Sequence, residues 1–331
     1  MRRVSKFALA FFSCLSVLGT PAQAEVVRED TAESLLNRKT PVYVWQDTNQ
    51  KPRAVAIAIH GLVMHGGVYN ALANKLASEG MIVMAPDLRG FGRWQSKHSK
   101  DAQLDYDKSL QDIDELVKAA SARYPDLPLY CIGESMGAGL AMHTAINNPQ
   151  IVDGLVLSAP ALKPRIYMGP LISETLKPQK QVKLEPYIRK WASEDPRIVE
   201  ESLADPLVTK RLTAWQIMKS IHYMRPNLGY AKKLPSNIPF LVMQGDQDRI
   251  LKSNAVVKLI SNAKTKDQTV RWFNNRGHLL LETAFIPPDT INTVNNWLQT
   301  HIEEASQSQP TTIVSLNAES QLADIQANKT N

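Results

Sequence analysis

Five consecutive residues, Gly133-Glu134-Ser135-Met136-Gly137, constrain the fold of this 331-residue chain more than any other segment. The apolar run 129–132 before them predicts a buried strand, and the segment 136–147 predicts a helix. A serine hydroxyl becomes a useful nucleophile when a sharp strand-to-helix turn holds it out of the backbone beside a base. Flanking glycines let neighbouring backbone pass closely. The segment therefore predicts a nucleophile elbow at Ser135, with an ordinary turn as the alternative.

Strand and helix patterns alternate on both sides of this segment. Helical spacing covers residues 68–78, 106–123, 136–147 and 289–301. Strand-like apolar runs cover residues 42–45, 54–59, 81–85, 129–133, 154–158, 239–244 and 268–273. Continuous apolar strands separated by helices are typical of a parallel sheet that is buried on both faces. The sequence therefore predicts an α/β fold with a mostly parallel sheet covered by helices on both faces.

This alternation is interrupted between residues 160 and 238. The stretch is rich in proline and charge, has helical spacing at 196–203 and 213–224, and contains no convincing strand. We interpret it as a helical cap, or lid, inserted between the two parts of the core, residues 25–159 and 239–304. Residues 305–331 are rich in Ser, Gln, Asn and Ala, which predicts a disordered tail.

The N-terminal residues have the pattern of a secretory signal peptide. Arg2, Arg3 and Lys6 precede the apolar run 7–18, and Ala22-Gln23-Ala24 forms a small-residue cleavage signal. We expect residues 1–24 to be removed and the mature protein to be periplasmic or secreted; an uncleaved membrane anchor is the alternative. After such cleavage Cys131 would be the one remaining cysteine, which predicts a fold without an internal disulfide.

Composition disfavours several function classes. The leader carries three basic residues and no acid, so its removal lowers the formal charge from +6 to about +3. A nucleic-acid-binding protein would need a denser basic patch, so no nucleic-acid partner is expected. The sequence has no His, Cys and carboxylate cluster at ligand spacing and no Gly-rich phosphate loop, so neither a metal nor a cofactor is predicted.

A base and an acid that could activate Ser135 follow two late strands. Asp248 follows the run 239–244, and His278 follows the run 268–273. The carboxyl ends of parallel strands meet at one edge of a sheet, and the order Ser, Asp, His is the one found in α/β-hydrolases. Asp246 is the alternative acid, although we expect it to cap the turn. The backbone N–H groups of Leu62 and Met136 are the predicted oxyanion hole.

Several further motifs lie along about residues 40–304. They are His60-Gly61-Leu62 with His65 and Tyr69, Pro86-Asp87-Leu88-Arg89-Gly90-Phe91-Gly92, Gly133–Gly137, Gly245 with Asp248-Arg249-Ile250, Gly277-His278, Ser193-Glu194-Asp195-Pro196 and Ala204-Asp205-Pro206-Leu207-Val208. On these motifs the chain resembles the monoacylglycerol lipase and lysophospholipase branch of the α/β-hydrolases, which is grouped with serine aminopeptidases of the prolyl-aminopeptidase type. Two positions depart from the family pattern: Met64 stands where Glu is frequent, and Trp94 where Ser is frequent.

The resemblance implies an α/β-hydrolase fold and hydrolysis of carboxylic esters, with monoacylglycerol or lysophospholipid as the substrate. An aminopeptidase with the same triad and a non-catalytic binding protein on a hydrolase fold are the two alternatives. The predicted cap carries fourteen Lys and Arg against seven Asp and Glu, with apolar groups at 166–172 and 215–224. This composition predicts either a solvated basic surface or a lid that contacts anionic lipid transiently.

Overall fold

An eight-stranded sheet forms the centre of the structure, a computed structural model that describes residues 26–29, 40–96, 102–163 and 179–308. Its strands follow the order β1-β2-β4-β3-β5-β6-β9-β10. Strand β2 pairs antiparallel with β1 and β4, and every other neighbouring pair is parallel. The strands are β1 (Val26–Glu29), β2 (Val42–Asp47), β3 (Ala54–Ile59), β4 (Met81–Pro86), β5 (Leu129–Glu134), β6 (Gly154–Ser158), β7 (Gln181–Lys183), β8 (Arg211–Thr213), β9 (Phe240–Gly245) and β10 (Gln268–Phe273).

Helices cover both faces of this sheet, as the sequence predicts. The helices are α1 (Asn70–Ser78), α2 (Tyr106–Arg123), α3 (Met136–Asn147), α4 (Glu185–Trp191), α5 (Pro196–Ala204), α6 (Ala214–Met224), α7 (Asn227–Tyr230), α8 (Asn254–Asn262) and α9 (Pro288–Ser308). The buried residues of α1 and α9 pack on one face, and those of α2, α3 and α8 pack on the other. The predicted α/β fold, a mostly parallel sheet covered by helices on both faces, is confirmed.

Strand β3 shows how the sequence divides the core into two layers. Its residues alternate between Ala54, Ala56 and Ala58 on the α1 face and three larger residues on the α2 face. Side chains of successive strand residues point to opposite faces, so a strand buried on both sides needs apolar residues at every position. Cys131 on the adjacent strand β5 is fully buried, and burial raises the pKa of its thiol, which suits a packing residue.

The predicted cap contains more than helices. Strands β7 and β8 form a separate two-stranded antiparallel sheet in which Val182 pairs with Leu212. The sequence gives little sign of these strands because each has three residues and a single buried side chain. Thr213 then begins α6 with a capping box to Gln216, a local signal that the sequence does contain. The boundaries of a cap at residues 160 and 238 stay a prediction.

The two ends of the chain lie partly outside the described residues. Helix α9 continues to Ser308, several residues beyond the predicted start of a disordered tail at residue 305. The signal-peptide prediction and the remainder of the tail fall on residues that the structure does not describe. Within the described ranges, each helix is too short or too polar to cross a bilayer.

Candidate active site

Ser135 lies at a strained turn between strand β5 and helix α3. Its backbone has φ 56° and ψ −115°, a conformation that costs a non-glycine residue about 1–3 kcal/mol and is frequent at functional sites. The Ser135 N–H donates to the carbonyl of Ser158 at 2.9 Å, which ties the turn to the end of β6. A Cβ added to Gly137 would lie 1.9 Å from the carbonyl oxygen of Ile59. Only glycine therefore fits at this position of the predicted elbow.

Three of the predicted residues are connected by two hydrogen bonds. His278 Nε2 lies 2.9 Å from Ser135 Oγ, and His278 Nδ1 lies 2.8 Å from Asp248 Oδ2. Because an ionised carboxylate can only accept, the proton of a neutral imidazole belongs on Nδ1, and Nε2 accepts from the serine hydroxyl. His278 and Asp248 are 3% and 2% exposed, whereas Ser135 is half-buried. A substrate can thus approach Ser135 while the other two stay shielded from water.

The local backbone holds Asp248 in position. Its Oδ1 accepts the N–H groups of Ile250 and Leu251 at 2.8 and 2.9 Å, and its Oδ2 accepts the side-chain amide of Gln244 at 3.0 Å. Asp246, the alternative acid, has an exposed side chain, and its N–H donates to Phe273. Of the two aspartates, Asp248 is therefore the one that meets His278.

Burial and charge act in opposite directions on this pair. Burial favours the neutral form of Asp248, but the charge and hydrogen bond of His278 and the donors from Leu251 and Gln244 lower its pKa overall. Burial also favours the neutral form of His278, which lowers its pKa, but the neighbouring Asp248 raises that pKa above its usual value. The arrangement stabilises an imidazolium, which is the species that forms when a base removes the serine proton.

The two predicted oxyanion donors border the same site. Met136 is the first residue of α3, so its N–H has no acceptor within the helix. Leu62 lies in the loop after β3 and lines the cavity above Ser135. Neither N–H donates to an acceptor within the described parts of the chain. Both groups are therefore free to bind a ligand oxygen, and their catalytic role stays a prediction.

Two histidines of the neighbouring loop have structural partners. His60 Nε2 accepts the N–H of Leu88 at 2.9 Å, and burial lowers its pKa to about 4, so the ring is neutral. His65 Nδ1 accepts from Gly67, and its Nε2 lies 2.8 Å from Asp205 Oδ2. The second contact joins residues after α5 to the loop of residues 60–65, which carries the predicted oxyanion donor Leu62 and is called the oxyanion loop below. The sequence motif at His65 thus has a structural explanation.

Glu134 is a buried acid that the sequence analysis did not single out. Its carboxylate accepts the Ser158 hydroxyl at 2.6 Å and the N–H groups of Leu280 and Glu282 at 2.8 and 2.9 Å. The residue before Ser135 therefore fastens the loop that carries His278 to the turn between β5 and α3. One sequence signal could have indicated this role of Glu134: it is a charged residue at the end of an otherwise apolar strand.

Glu282 is a second buried acid that the sequence did not indicate. Its Oε1 accepts the Gly61 N–H at 2.5 Å, which ties the His278 loop to the oxyanion loop. Burial and the neighbouring Glu134 carboxyl hold the pKa of Glu282 well above its usual value. Burial also raises the pKa of Glu134. Because burial and the charge of Glu134 outweigh the hydrogen bonds from Gly61 and Tyr69, the neutral form of Glu282 is favoured.

The predicted cap also contacts the His278 loop. The Leu279 N–H donates to the carbonyl of Ala192 at 3.0 Å, and the Gly277 N–H donates to the carboxylate of Glu194. A Cβ added to Gly277 would lie 2.6 Å from that carboxylate. The residues on both sides of His278 are therefore bonded to the segment between α4 and α5.

A largely apolar cavity of about 220 Å³ opens at Ser135 and His278. Many of the residues that line this cavity belong to the predicted cap. They include Leu184, Tyr187, Ile188, Trp191, Leu212, Ile217, Ile221 and Met224. Such a surface suits an aliphatic chain. Among the described residues no group of His, Cys and carboxylates could hold a metal ion.

Of the two departures from the family pattern, one bears on the cavity. Met64 is 5% exposed and lines the wall of the cavity. Trp94 is buried elsewhere, where its Nε1 donates to the carbonyl of Asp87 at 2.9 Å and Arg89 packs over its ring. Met64 thus presents an apolar side chain of the loop after β3 to the cavity, whereas Trp94 does not line the cavity.

Sequence comparison identifies the family. The family described as Hydrolase_4, "Serine aminopeptidase, S33", matches residues 50–283, which is most of the chain. The chain belongs to this family. Among its relatives is human monoglyceride lipase, which is 26% identical to this chain. The match covers 80% of this chain and 88% of the human protein. The monoacylglycerol lipase of Mycolicibacterium smegmatis is 26% identical over 78% of this chain and 92% of its own length.

Solved structures support the same fold for this S33 family member. A soluble variant of monoglyceride lipase from Saccharomyces cerevisiae, solved with a substrate analog, superposes with a TM-score of 0.67 at 16% identity. The superposition covers 85% of this chain and 96% of the yeast chain. At this identity the likeness shows the fold alone.

Proposed function

We propose that this protein is a serine hydrolase that cleaves carboxylic esters of monoacyl lipids. The observation that carries the proposal is the hydrogen-bonded series Ser135, His278 and Asp248 at the base of an apolar cavity. Two of the relatives described above are named monoglyceride lipase and monoacylglycerol lipase, and their names agree with a substrate that has one acyl chain.

The proposed reaction begins when His278 Nε2 removes the proton of Ser135 as its oxygen attacks the ester carbonyl. The N–H groups of Leu62 and Met136 hold the oxyanion, and one such donor is worth about 3 kcal/mol of transition-state stabilisation. The alcohol leaves with the proton from His278. Water then attacks the acyl-enzyme by the reverse steps, and Asp248 stays ionised throughout.

The experiment that tests this proposal compares wild type with Ser135→Ala on p-nitrophenyl esters of increasing acyl length. Wild type should hydrolyse them, and Ser135→Ala should lose at least about 10⁴-fold in kcat with its fold retained. Monoacylglycerol and lysophospholipid should be tested alongside. Comparable ester turnover by the two proteins would refute the assignment of Ser135.

A second candidate function is removal of an N-terminal residue from peptides. The observation that favours it is Glu282, an acid that lines the cavity and could pair with a substrate ammonium if it ionised. A panel of aminoacyl amides compared with a panel of acyl esters separates the two functions. Faster turnover of the aminoacyl amides would favour the peptidase.

We also propose transient contact between the predicted cap and a membrane surface. On helix α6, Trp215 and Met218 are 58% and 45% exposed, although Ile217 on the same helix lines the cavity. Lys183 and Arg211 are exposed on the adjoining strands β7 and β8. Exposed apolar and cationic side chains on adjoining elements suit an interface with anionic lipid. The apolar group at 166–172 lies outside the described residues.

Export of the protein remains a proposal from its sequence. The basic residues, apolar run and small-residue site within residues 1–24 support a cleaved signal peptide and a periplasmic or secreted enzyme. Mass spectrometry of the N-terminus after expression of the full gene tests it. A mature protein that begins at Glu25 is expected, and a retained leader would contradict the proposal.

A further inference from the structure

Both backbone groups of Ser135 are bonded to the segment that follows β6. The Ser135 N–H donates to the carbonyl of Ser158, and the Ser135 carbonyl accepts the N–H of Ala161, each at 2.9 Å. Between these two partners Ala159 has φ 37°, a left-handed conformation that strains a residue with a side chain. The strained turn at Ser135 is thus bonded on both sides to a second strained segment, residues 158–161.

A buried asparagine from a distant part of the sequence is bonded to this segment. Asn227 is fully buried, and its Nδ2 donates to the carbonyl of Ala161 at 3.0 Å. Ala161 lies near the start of the predicted cap, and Asn227, the first residue of α7, lies near its end. One side-chain hydrogen bond therefore joins the two ends of the predicted cap at the segment that binds Ser135.

The same amide packs against the helix that begins after Ser135. A Cβ added to Gly139, in the first turn of α3, would lie 2.2 Å from Asn227 Nδ2, and the next two nearest atoms also belong to the Asn227 side chain. The absence of a side chain at Gly139 therefore leaves the space that the amide occupies. Asn227 thus contacts both elements that adjoin the turn, the segment 158–161 and the start of α3.

The oxygen of this amide argues against a role in packing alone. Asn227 Oδ1 is buried and has no hydrogen-bond partner within the described ranges. An unpaired buried polar atom is unfavourable for folding, and an apolar side chain of similar shape would avoid it. What an apolar side chain cannot provide is the hydrogen bond from Nδ2 to Ala161. That bond is therefore the property of Asn227 that calls for an explanation.

We propose that Asn227 is a positioning residue for the reaction, because its hydrogen bond to Ala161 holds the segment 158–161 and, through it, the backbone of Ser135. This inference rests on the proposed ester hydrolysis. Met136, the predicted oxyanion donor, follows Ser135 directly, so a shift of the turn moves the serine Oγ and this N–H group together. A displacement of about 1 Å can slow a reaction by about 10²-fold. Asn227 does not line the cavity, so binding of the acyl chain should be unaffected.

The rate and the final extent of labelling with an alkyl fluorophosphonate separate positioning from folding. The final extent reports the fraction of folded protein, whereas the rate constant reports how well Ser135 is placed for attack. Asn227→Leu keeps the branching of the side chain but cannot donate to Ala161. It should reach the same extent as wild type with a rate constant lowered roughly tenfold. On a p-nitrophenyl ester kcat should fall similarly, and KM should stay within about twofold of wild type.

Asn262 on α8 provides a matched control. Its Nδ2 donates to the carbonyl of Leu228 on α7 at 3.4 Å, so it is an amide bonded to the same helix but not to the segment 158–161. Asn262→Leu should leave both the extent and the rate constant of labelling within about twofold of wild type. A fall in the rate constant equal to that of Asn227→Leu would mean that the position of α7, rather than the bond to Ala161, controls Ser135.

A second set of variants tests the contact while the amide is kept, and it decides the question if Asn227→Leu does not fold. The methyl group of Gly139→Ala would occupy the space of the Asn227 side chain and should displace the amide from Ala161. It should therefore lower the rate constant about as much as Asn227→Leu. In Asn227→Ala that space is empty, so adding Gly139→Ala to it should change the rate constant by less than about twofold.

Three outcomes would overturn the inference. A rate constant for Asn227→Leu within about twofold of wild type would mean that Ser135 is held in place without Asn227. A lower extent of labelling with an unchanged rate constant would mean that Asn227 only supports folding. Independent losses from Gly139→Ala and Asn227→Ala that multiply in the double variant would mean that the two residues do not act through one contact. A wild-type protein that is neither labelled nor active on esters would refute the proposed function itself, whereas these three outcomes with an active wild type refute only the role of Asn227.

Discussion

The carboxylate of Glu134 accepts the backbone N–H of Leu280 at 2.8 Å, so the residue before Ser135 fixes the loop that follows His278. The same carboxylate accepts from Leu281, Glu282 and the Ser158 hydroxyl. The spacing between Ser135 and His278 is thus set by a buried polar contact as well as by the sheet.

Replacement of Glu134 by Gln is expected to destabilise the fold and slow catalysis. One acceptor oxygen becomes an NH₂ group that faces N–H donors, which leaves buried groups unpaired and costs about 1–3 kcal/mol of unfolding free energy. Denaturant unfolding measures this loss, and kcat on a p-nitrophenyl ester should fall with it. The control Glu303→Gln, at an exposed position on α9, should change neither quantity. Unaltered stability in Glu134→Gln would contradict the anchoring role.

Removal of the Asp248 charge is expected to shift the pH profile as well as the rate. Activity needs neutral His278, and Asp248 raises the pKa of His278, so wild-type kcat/KM should rise with pH through an inflection above the usual value of 6.5. In Asp248→Asn burial remains but the opposing charge is lost, so the inflection should move to lower pH. The maximal rate should fall by about 10³- to 10⁴-fold. A profile that keeps its inflection in Asp248→Asn would count against the pairing.

A methyl group at Gly137 is expected to disrupt the packing of α3 on β3. Its Cβ would lie 1.9 Å from the Ile59 carbonyl oxygen, a distance that forces backbone to move and costs about 3 kcal/mol, the upper end of the usual cost of overpacking. Gly229 on α7 is a matched control, since a Cβ there would meet no atom within 4 Å. Thermal unfolding of Gly137→Ala and Gly229→Ala measures the difference. Similar melting temperatures for both variants would show that the elbow tolerates a side chain.

Replacement of Trp215 by Ser is expected to weaken binding to anionic vesicles by roughly tenfold, because an exposed indole loses its apolar contact with lipid. Cosedimentation with vesicles of anionic and of neutral composition, at low and high salt, measures the effect. Trp272 on β10 is 41% exposed and lies outside the predicted cap, so Trp272→Ser is the control. Equal binding to both vesicle types at both salt concentrations would argue against contact through basic residues.

The sequence predicts the sheet and the meeting of Ser135, Asp248 and His278 because both depend on local patterns. Apolar runs define the strands, and parallel strands bring their carboxyl ends to one edge. The sequence left Asp246 as an alternative to Asp248 for the acid. The structure decides between them, because of these two aspartates only Asp248 contacts His278. The small sheet of β7 and β8 was not predicted, because its pairing joins residues about thirty positions apart through three-residue strands.

The supporting acids could not be predicted for a different reason. Glu134 and Glu282 act on backbone groups that are distant in sequence and close only after folding. No regular spacing of residues in the sequence marks a carboxyl that will be buried. Its partners here are backbone N–H groups, which every residue other than proline carries. Sequence patterns therefore find the reacting side chains more readily than the groups that hold them in place.

The central claim is that His278 activates Ser135 as a nucleophile, and labelling with a serine-directed fluorophosphonate tests it most directly. Mass spectrometry of digested wild-type protein should find one adduct, on the peptide that contains Ser135. Ser135→Ala should give no adduct, and His278→Ala should label at least about 10²-fold more slowly because the base is absent. Undiminished labelling of Ser135→Ala, or an adduct at another residue, would contradict the account.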